Sequence, residues 1–394
     1  SLLLERLKKE ILSNDLISVY YESVVEDVRG FMGNFEVKIS QRGNGGISPF
    51  KCGVVVVATG GKEYKGNEYL YGESENVKTQ LELEEILKEN PDEISNLKRV
   101  AMIQCVGSRN EERPYCSRIC CTEAIKNALK VKELSPDTEV VVYYRDIRAF
   151  GFREKYYTKA REKGIIFICF NEEEPPEVEE KEGKIRITVK DRVLGLKVSQ
   201  TFDLLALSMA VVPYEENKAV SDALKIPLTA DGFFLEAHMK LKPVDFASEG
   251  IFLCGMAHFP KFMEESIAQA LAVCGRANTI LAKDKLYVGG SIAVVDENKC
   301  ASCLTCVRTC PYQVPKILDR VAHIEVAQCQ GCGTCAAECP NKAIQLLHYT
   351  DEQVIAKCNS FTLQEEKLKK EREEKKKELG ESSQELQQEK QNHQ

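Results

Sequence analysis

The sequence predicts an α/β body followed by a small, cysteine-rich α+β module, and three observations carry that expectation. Residues 98–145 alternate an apolar strand run, a helical run and a second strand run. Eight cysteines fall in two identical runs between Cys300 and Cys339. The 394 residues suffice for two or three domains with a sizeable core. The composition, 43% hydrophobic and 29% charged, is that of an ordinary soluble protein, and 54 basic against 61 acidic residues give a net charge of -7. No basic excess argues for nucleic acid as a partner. What stands out is 17 cysteines with no tryptophan, without a signal peptide or an apolar run of about 18 residues. Reduced cytoplasmic thiols holding metal are the expectation, because disulfide frameworks belong to small secreted domains.

Along the chain, residues 2–14 (LLLERLKKEILSN) read as a helix. Residues 17–25 and 34–39, separated by Gly30 and Gly33, read as a β-meander. KCGVVVVATGG (51–61) is a buried, parallel-type strand ending in a glycine turn, whose four valines ask for cover on both faces. KRVAMIQCV (98–106), CTEAIKNALKVKEL (121–134) and EVVVYYR (139–145) form the βαβ unit. Strands at 165–170 and 202–209 flank an acidic loop, 171–182, and a hairpin around 185–189. A strand at 250–255 then ends at glycine, and the helix at 264–281 has small residues on one face. Residues 363–394 are about half charged with no apolar stripe, and read as a solvated helix or a disordered tail.

The eight C-terminal cysteines carry the strongest signal. Cys300-x2-Cys303-x2-Cys306-x3-Cys310-Pro311 recurs 29 residues later as Cys329-x2-Cys332-x2-Cys335-x3-Cys339-Pro340. Three thiolates on a tight loop can cap three irons of one cubane, while the fourth, before proline, turns toward the other cluster. The expected ligand sets are therefore crossed. Cys300, Cys303, Cys306 and Cys339 hold one [4Fe-4S] cluster; Cys329, Cys332, Cys335 and Cys310 hold the other. A zinc ribbon or a disulfide framework would not repeat this spacing. Short strand and helix pieces at 293–296, 323–326 and 343–347 would pack around the clusters of such a ferredoxin module.

Cys105, Cys116, Cys120 and Cys121 form a second group whose spacing is open to several readings: a vicinal redox disulfide, buried apolar cysteines, a zinc site or a third cluster. They occupy the turn after the first strand of the βαβ unit, QCVGSRNEERPYCSRICC, where a nicotinamide site would need GxGxxG. A nicotinamide site there is not expected. Cys52, Cys169, Cys254, Cys274 and Cys358 have no partner spacing and read as packing residues or stray thiols rather than ligands.

VVVVATGG, MIQCVGSR with RPYCSRICCTEAIKNAL, YYRDIRAFG, the segment DGFFLEAHMKLKPVDFASEGIFLCGMAHFPKFMEESIAQA and the double-cluster module together resemble the HdrA family, the iron-sulfur flavoprotein component of heterodisulfide reductase, with its bacterial homologues, over about residues 15–357. The resemblance implies a thioredoxin-reductase-like FAD/NAD(P)-binding, Rossmann-like domain plus a C-terminal bacterial-type 2[4Fe-4S] ferredoxin domain. It implies domains at 1–96 (first part of the FAD-binding domain), 97–210 (a nicotinamide-type lobe that carries a cluster), 211–288 (the second part), 289–350 (ferredoxin) and 358–394 (tail). It implies that Cys105, Cys116, Cys120 and Cys121 hold a third [4Fe-4S] cluster. Lys126 would stand near the reactive edge of the flavin, with a plain surface lysine as the other reading. The turns Ala58-Thr59-Gly60-Gly61 and Gly255-Met256, with Ile267 and Gln269 on the following helix, would approach FAD. His258 reads either as a flavin neighbour or as a satisfied polar residue.

The implied function is an oxidoreductase of anaerobic metabolism that passes electrons between a partner hydrogenase or dehydrogenase, FAD and a disulfide-reducing partner. Proteins like the B and C components of heterodisulfide reductase, and ferredoxin, are the implied partners. The rivals are an NAD(P)H-dependent flavin disulfide reductase and a flavin-free electron relay. The chain begins at Ser1 without a strand and GxGxxG, so a shortened N-terminus is expected. Larger family members insert a ferredoxin-like module before the Ala58-Thr59-Gly60 turn, where residues 41–50 read as a short polar loop, so electron bifurcation stays open.

Overall fold

The computed structural model describes residues 2–41, 45–287 and 290–391, so Ser1 and residues 392–394 lie outside the described residues. The chain divides into two compact units, Ser1–Asp284 and Lys285–Gln394.

The first unit opens with the exposed helix α1 (Leu2–Leu12). An antiparallel sheet follows, β1 (Ser23–Phe31), β2 (Asn34–Gln41) and β3 (Gly45–Cys52). The meander is as expected, and on β2 the side chains of Phe35, Val37 and Ile39 alternate inward with the period of a strand. The polar loop expected over 41–50 is corrected: Gly45 onward pairs with β2, while 42–44 lie outside the described residues. Polar side chains did not exclude a strand here, because β3 sits at the edge of its sheet.

Then come β4 (Val55–Val57), β5 (Lys62–Glu63) and β6 (Val77–Thr79). Helix α2 (Gln80–Glu89) starts from a capping box in which Thr79 and Glu82 exchange hydrogen bonds. Next are α3 (Pro91–Ser95), β7 (Arg99–Val106), α4 (Cys120–Leu134), β8 (Glu139–Tyr144), α5 (Glu154–Glu162) and β9 (Ile166–Cys169). A second meander, β10 (Glu177–Lys181), β11 (Lys184–Lys190) and β12 (Lys197–Phe202), leads into β13 (Leu204–Met209). The unit closes with β14 (Val211–Val212), α6 (Asn217–Leu224), β15 (Ile251–Leu253) and α7 (Met263–Leu281).

The central sheet is parallel, with strand order β6-β13-β7-β8-β9. Its strands read as continuous apolar runs because both faces are covered. Val100, Met102, Val140 and Val142 face α2, α4 and α5. Ala101, Ile103, Val141 and Tyr143 pack instead with Ile185, Ile187 and Phe202 of the second meander. Asp203 fixes the register of β13, since its carboxylate accepts the backbone N–H groups of Lys98 and Arg99 at 2.8 Å each.

The cover expected for the four valines is only partly present. β4 pairs in parallel with β15, Val57 is buried, and Val56 is 43% exposed.

The second unit contains β16 (Ala293–Val295), α8 (Thr305–Thr309), β17 (Lys316–Leu318), β18 (Val321–His323), α9 (Thr334–Ala337), β19 (Ile344–Leu346) and α10 (Asp351–Gln391). β16 pairs with β19 and β17 with β18, both antiparallel. The 29-residue repeat extends to the backbone: left-handed φ values recur at Ser302 and Gly331, Leu304 and Gly333, Gln313 and Lys342, and Asp319 and His348. Of the two expectations for the tail, the solvated helix is the one observed. Helix α10 runs to Gln391, and its described side chains are exposed.

Candidate functional site

In the second unit the fold brings together cysteines that are distant in sequence. Cys300, Cys303 and Cys306 line one pocket with Cys339, beneath Leu304, Ile317 and Ile344. Cys306, Cys335 and Cys339 are buried, whereas Cys303 and Cys332 reach the surface. Burial, followed by the charges of Cys329, Cys310, Cys332 and Cys306, pushes Cys335 up to about 11. Burial and then Cys300 and Cys303 raise Cys306. A cationic occupant would relieve this mutual repulsion of thiolates, and the iron of a cluster would supply it.

The sulfurs also collect hydrogen bonds in symmetry-related pairs. Ala322 N–H donates to Cys300 Sγ and Ala293 N–H to Cys329 Sγ, both at 3.4 Å; Ala293 and Ala322 are themselves one repeat apart. Ala343 N–H donates to Cys339 Sγ at 3.3 Å. Thr305 and Thr334 hydroxyls lie 3.4 Å from Cys303 Sγ and Cys332 Sγ. Backbone donors aimed at sulfur stabilise the thiolate form that a cluster needs. The residues present fit two [4Fe-4S] clusters.

The four cysteines of the first unit gather at the C-terminal end of the central sheet, where open α/β folds place their ligands. Between the pairs Leu207↔Ile103 and Met209↔Val106 the register shifts, so Gln104 and Cys105 oppose Ser208 alone. Cys105 has φ 65, out of the ladder. Gly107 (φ 71) follows so close to Tyr64 that a Cβ there would stand 2.2 Å from its ring. Cys120 and Cys121 begin α4, and both are buried. Burial and then Cys121, Cys105 and Cys116 raise Cys120 well above an ordinary thiol. Burial likewise pushes Cys121 up to about 12, with Cys105 and Cys116 adding to it. The four thiols therefore form one electrostatic group.

Basic residues surround this group. Arg109 reaches Cys105 Sγ at 3.7 Å and pairs with Asp146, which also holds Arg148 at 3.1 Å. Arg118 N–H donates to Cys116 Sγ at 3.3 Å. Guanidinium groups and the N-terminal end of α4 both favour negative charge at this spot. Gln104, 2% exposed, has both amide atoms unpartnered, and Ser208 Oγ opposite it is also unpartnered. Buried polar groups seldom stay unsatisfied, so a further ligand at this end of the sheet fits. Sequence reasoning missed Arg109, Arg118 and Arg148, because an arginine in a loop carries no spacing signal.

The two glycine turns expected to approach FAD lie side by side. Cys254 N–H donates to Val57 O at 3.1 Å, and a Cβ at Gly61 would stand 3.7 Å from Met256 Cβ. Gly255 (φ 70) has nothing within 4 Å of its Cβ position, and Gly60 (φ 80) only the Tyr214 ring at 4.0 Å. Ala58 and Thr59 are exposed, and Thr59 Oγ1 bonds Asn217 Oδ1 at 3.0 Å. The open backbone fits one wall of a flavin site, since glycines with positive φ let a ring approach. Gln269 braces this wall: its Oε1 accepts Gly255 N–H at 3.0 Å and its amide nitrogen lies 2.9 Å from His258 Nδ1. His258 Nε2 meets Glu236 at 2.8 Å, so its ring is satisfied on both sides, and burial with Lys261 holds it below the ordinary imidazole value. Lys261, 8% exposed, donates to Gly255 O at 2.7 Å, and burial pulls it down to about 8. Ile267 is 45% exposed on α7. Lys126 stands on α4 and pairs with Glu84 of α2 at 2.6 Å, both half exposed, in a groove shared with Thr122, Lys130 and Tyr156.

Residues 292–361 match the family described as a 4Fe-4S dicluster domain. The A component of the H(2):CoB-CoM heterodisulfide,ferredoxin reductase of Methanothermobacter thermautotrophicus is 40% identical over 323 residues, 78% of this chain and 49% of the relative. The second iron-sulfur A component of the CoB--CoM heterodisulfide reductase of Methanopyrus kandleri is 40% identical over 266 residues, 64% of this chain and 40% of the relative. The A component of the Ferredoxin:CoB-CoM heterodisulfide reductase of Methanosarcina acetivorans is 35% identical over 308 residues, 68% and 38%. The chain thus spans half or less of the length of these relatives. Over most of its own length, with a 4Fe-4S dicluster domain at its C-terminal end, the chain is a homologue of the HdrA proteins of heterodisulfide reductase.

Proposed function

We propose that the chain is the iron-sulfur flavoprotein part of a heterodisulfide-reductase-like complex in the cytoplasm. Electrons from a hydrogenase-, dehydrogenase- or ferredoxin-type donor enter at the dicluster domain and leave toward a disulfide-reducing partner like the B and C components of that enzyme. What supports this reading is the homology to HdrA, together with the pocket that Cys300, Cys303, Cys306 and Cys339 line and the mutual electrostatic influence of Cys105, Cys116, Cys120 and Cys121. Bound FAD would supply the exchange between paired and single electrons.

The chain's own residues do the positioning. Gly60 and Gly255 leave room for the ring, and Gln269 and Lys261 hold the Gly255 turn in place, while Lys126 on α4 is ion-paired with Glu84. The Cys105-Cys116-Cys120-Cys121 group, held at the sheet end by Arg109 and Arg118, is the proposed exit for single electrons. Bifurcation is an extension of this role that a partner acceptor would decide.

The test is anaerobic purification of the full-length protein with its complex, followed by a visible spectrum and a disulfide-reduction assay with and without the B- and C-like components. Disulfide reduction that needs those components, from a preparation with a flavin band, is the expected result. NADH-driven reduction by this chain alone would point to an ordinary flavin disulfide reductase. A preparation with clusters but no flavin band would point to a relay module.

A further inference from the structure

One arginine joins the four-cysteine loop to the turn expected to meet the flavin, and both ends lie within the first unit. Arg118 has φ 63, in the left-handed region that residues other than glycine seldom adopt. Its backbone N–H donates to Cys116 Sγ at 3.3 Å. Its guanidinium turns the other way, toward the first turn of α7: Nη2 bonds Glu265 Oε1 at 2.7 Å and Nη1 reaches Pro260 O at 3.4 Å.

Around this link the α7 terminus is held firmly. Glu265 Oε2 accepts Phe262 N–H at 2.8 Å, and Arg153 lies 3.5 Å over the Phe262 ring while pairing with Glu264. Arg118 lies over the same ring at 5.8 Å. Between Pro260 and Phe262 stands Lys261, which holds Gly255 O. A continuous line of bonded groups therefore runs from Cys116 through Arg118 and Glu265 to the Gly255 turn.

We propose that Arg118 is a positioning residue that sets the reduction potential of the four-cysteine centre, with Glu265 as the counter-charge that weakens its effect. The inference rests on the proposed function, in which this centre is a cluster taking single electrons. When the centre takes one electron from a one-electron reductant, it gains one negative charge and no bond is made or broken. The positive charge of Arg118 favours that reduced state, and the carboxylate of Glu265 opposes it by neutralising the guanidinium. Both side chains are about 40% exposed. Their mutual attraction adds little to folding.

The two substitutions have opposite signs, which a merely structural role would not produce. Arg118→Gln removes the positive charge and lowers the midpoint potential of the third centre. Glu265→Gln frees the guanidinium from its counter-charge and raises it, while its amide oxygen still accepts Phe262 N–H. Arg118→Lys keeps the charge and stays closer to wild type than Arg118→Gln. The measurement is a dithionite titration of the anaerobically reconstituted full-length protein, followed by electron paramagnetic resonance, with the dicluster signals as internal controls. If Arg118→Gln fails to assemble the third centre, Glu265→Gln decides alone, because it leaves residues 105–121 intact. Shifts of the same sign in both variants, or no upward shift in Glu265→Gln, overturn the inference. A wild-type protein that shows dicluster signals alone overturns the underlying functional reading instead, and this inference with it.

Discussion

The two cysteine-bearing regions solve one chemical problem by different means. In the C-terminal unit a duplicated motif does the work: two loops, two short helices and two strand pairs repeat at an offset of 29 residues, down to the left-handed backbone at Leu304 and Gly333. Its sulfurs are supported by backbone N–H groups from the opposite repeat. In the N-terminal unit the four cysteines sit on an irregular loop at the end of a parallel sheet, held by a bulge at Cys105, a glycine against Tyr64, the Arg109 guanidinium and the Arg118 backbone N–H. A symmetric site is specified by its own short sequence, whereas an irregular one borrows its geometry and charge from the domain around it. The second kind is the more easily tuned, since single arginines and carboxylates can be changed without touching a ligand.

The contrast is broken most severely if the ligand sets of the repeated motif are not crossed. If Cys303 and Cys339 serve one cluster, the double variant Cys303→Ser/Cys339→Ser loses about four irons, as one damaged cluster would. Cys303→Ser/Cys310→Ser damages both and loses about eight. Iron analysis after anaerobic reconstitution reads the difference, and the reverse order would mean that each repeat holds its own cluster.

Next in size is the backbone of the irregular loop. Gly107→Ala places a methyl 2.2 Å from the Tyr64 ring at φ 71, and destabilises the first unit by about 3 kcal/mol. Gly164→Ala, at φ 78 with nothing within 4 Å, costs only about 1 kcal/mol. Chemical denaturation followed by circular dichroism compares them. Equal losses would mean that close packing at Gly107 does not hold the loop.

A smaller effect tests the sheet that carries this loop. Burial pulls the Asp203 carboxyl up, but Lys184 and the N–H groups of Arg99 and Lys98 outweigh it and hold the group below the usual range. A depressed carboxyl stabilises the fold above its unfolded value, and that stability is lost as pH falls through the folded value. Asp203→Asn therefore lowers stability at pH 7 by about 1 kcal/mol and flattens the acid side of the stability profile, read by thermal melts from pH 7 to pH 3. A variant with the wild-type acid slope would show that Asp203 does not set it.

The same contrast governs what could be read from the sequence. The repeat and pseudo-symmetry of the C-terminal motif were legible, because both follow from one repeated string. The βαβ unit was legible from its apolar periods, but the insertion of β13 between β6 and β7 was not: that order depends on Asp203 reaching the amides of Lys98 and Arg99, about a hundred residues away. β3 was missed because Gly45, Gly46 and Pro49 carry no strand propensity, and pairing with β2 supplies what propensity lacks. The valines of 54–57 suggested two covered faces, yet Val56 stays exposed among the described residues. The cysteines of the irregular loop were visible, while the arginines that hold them were not, since their roles arise only when residues 109, 118 and 148 come together in space.

A third cluster on the irregular loop, independent of the repeated motif, is the feature on which the whole contrast depends. Iron and acid-labile sulfide, measured in the anaerobically reconstituted wild type and in Cys105→Ser, decide whether it is there. About 12 irons are expected for the wild type and about eight for the variant, with the dicluster signals unchanged. About eight in both proteins would contradict it.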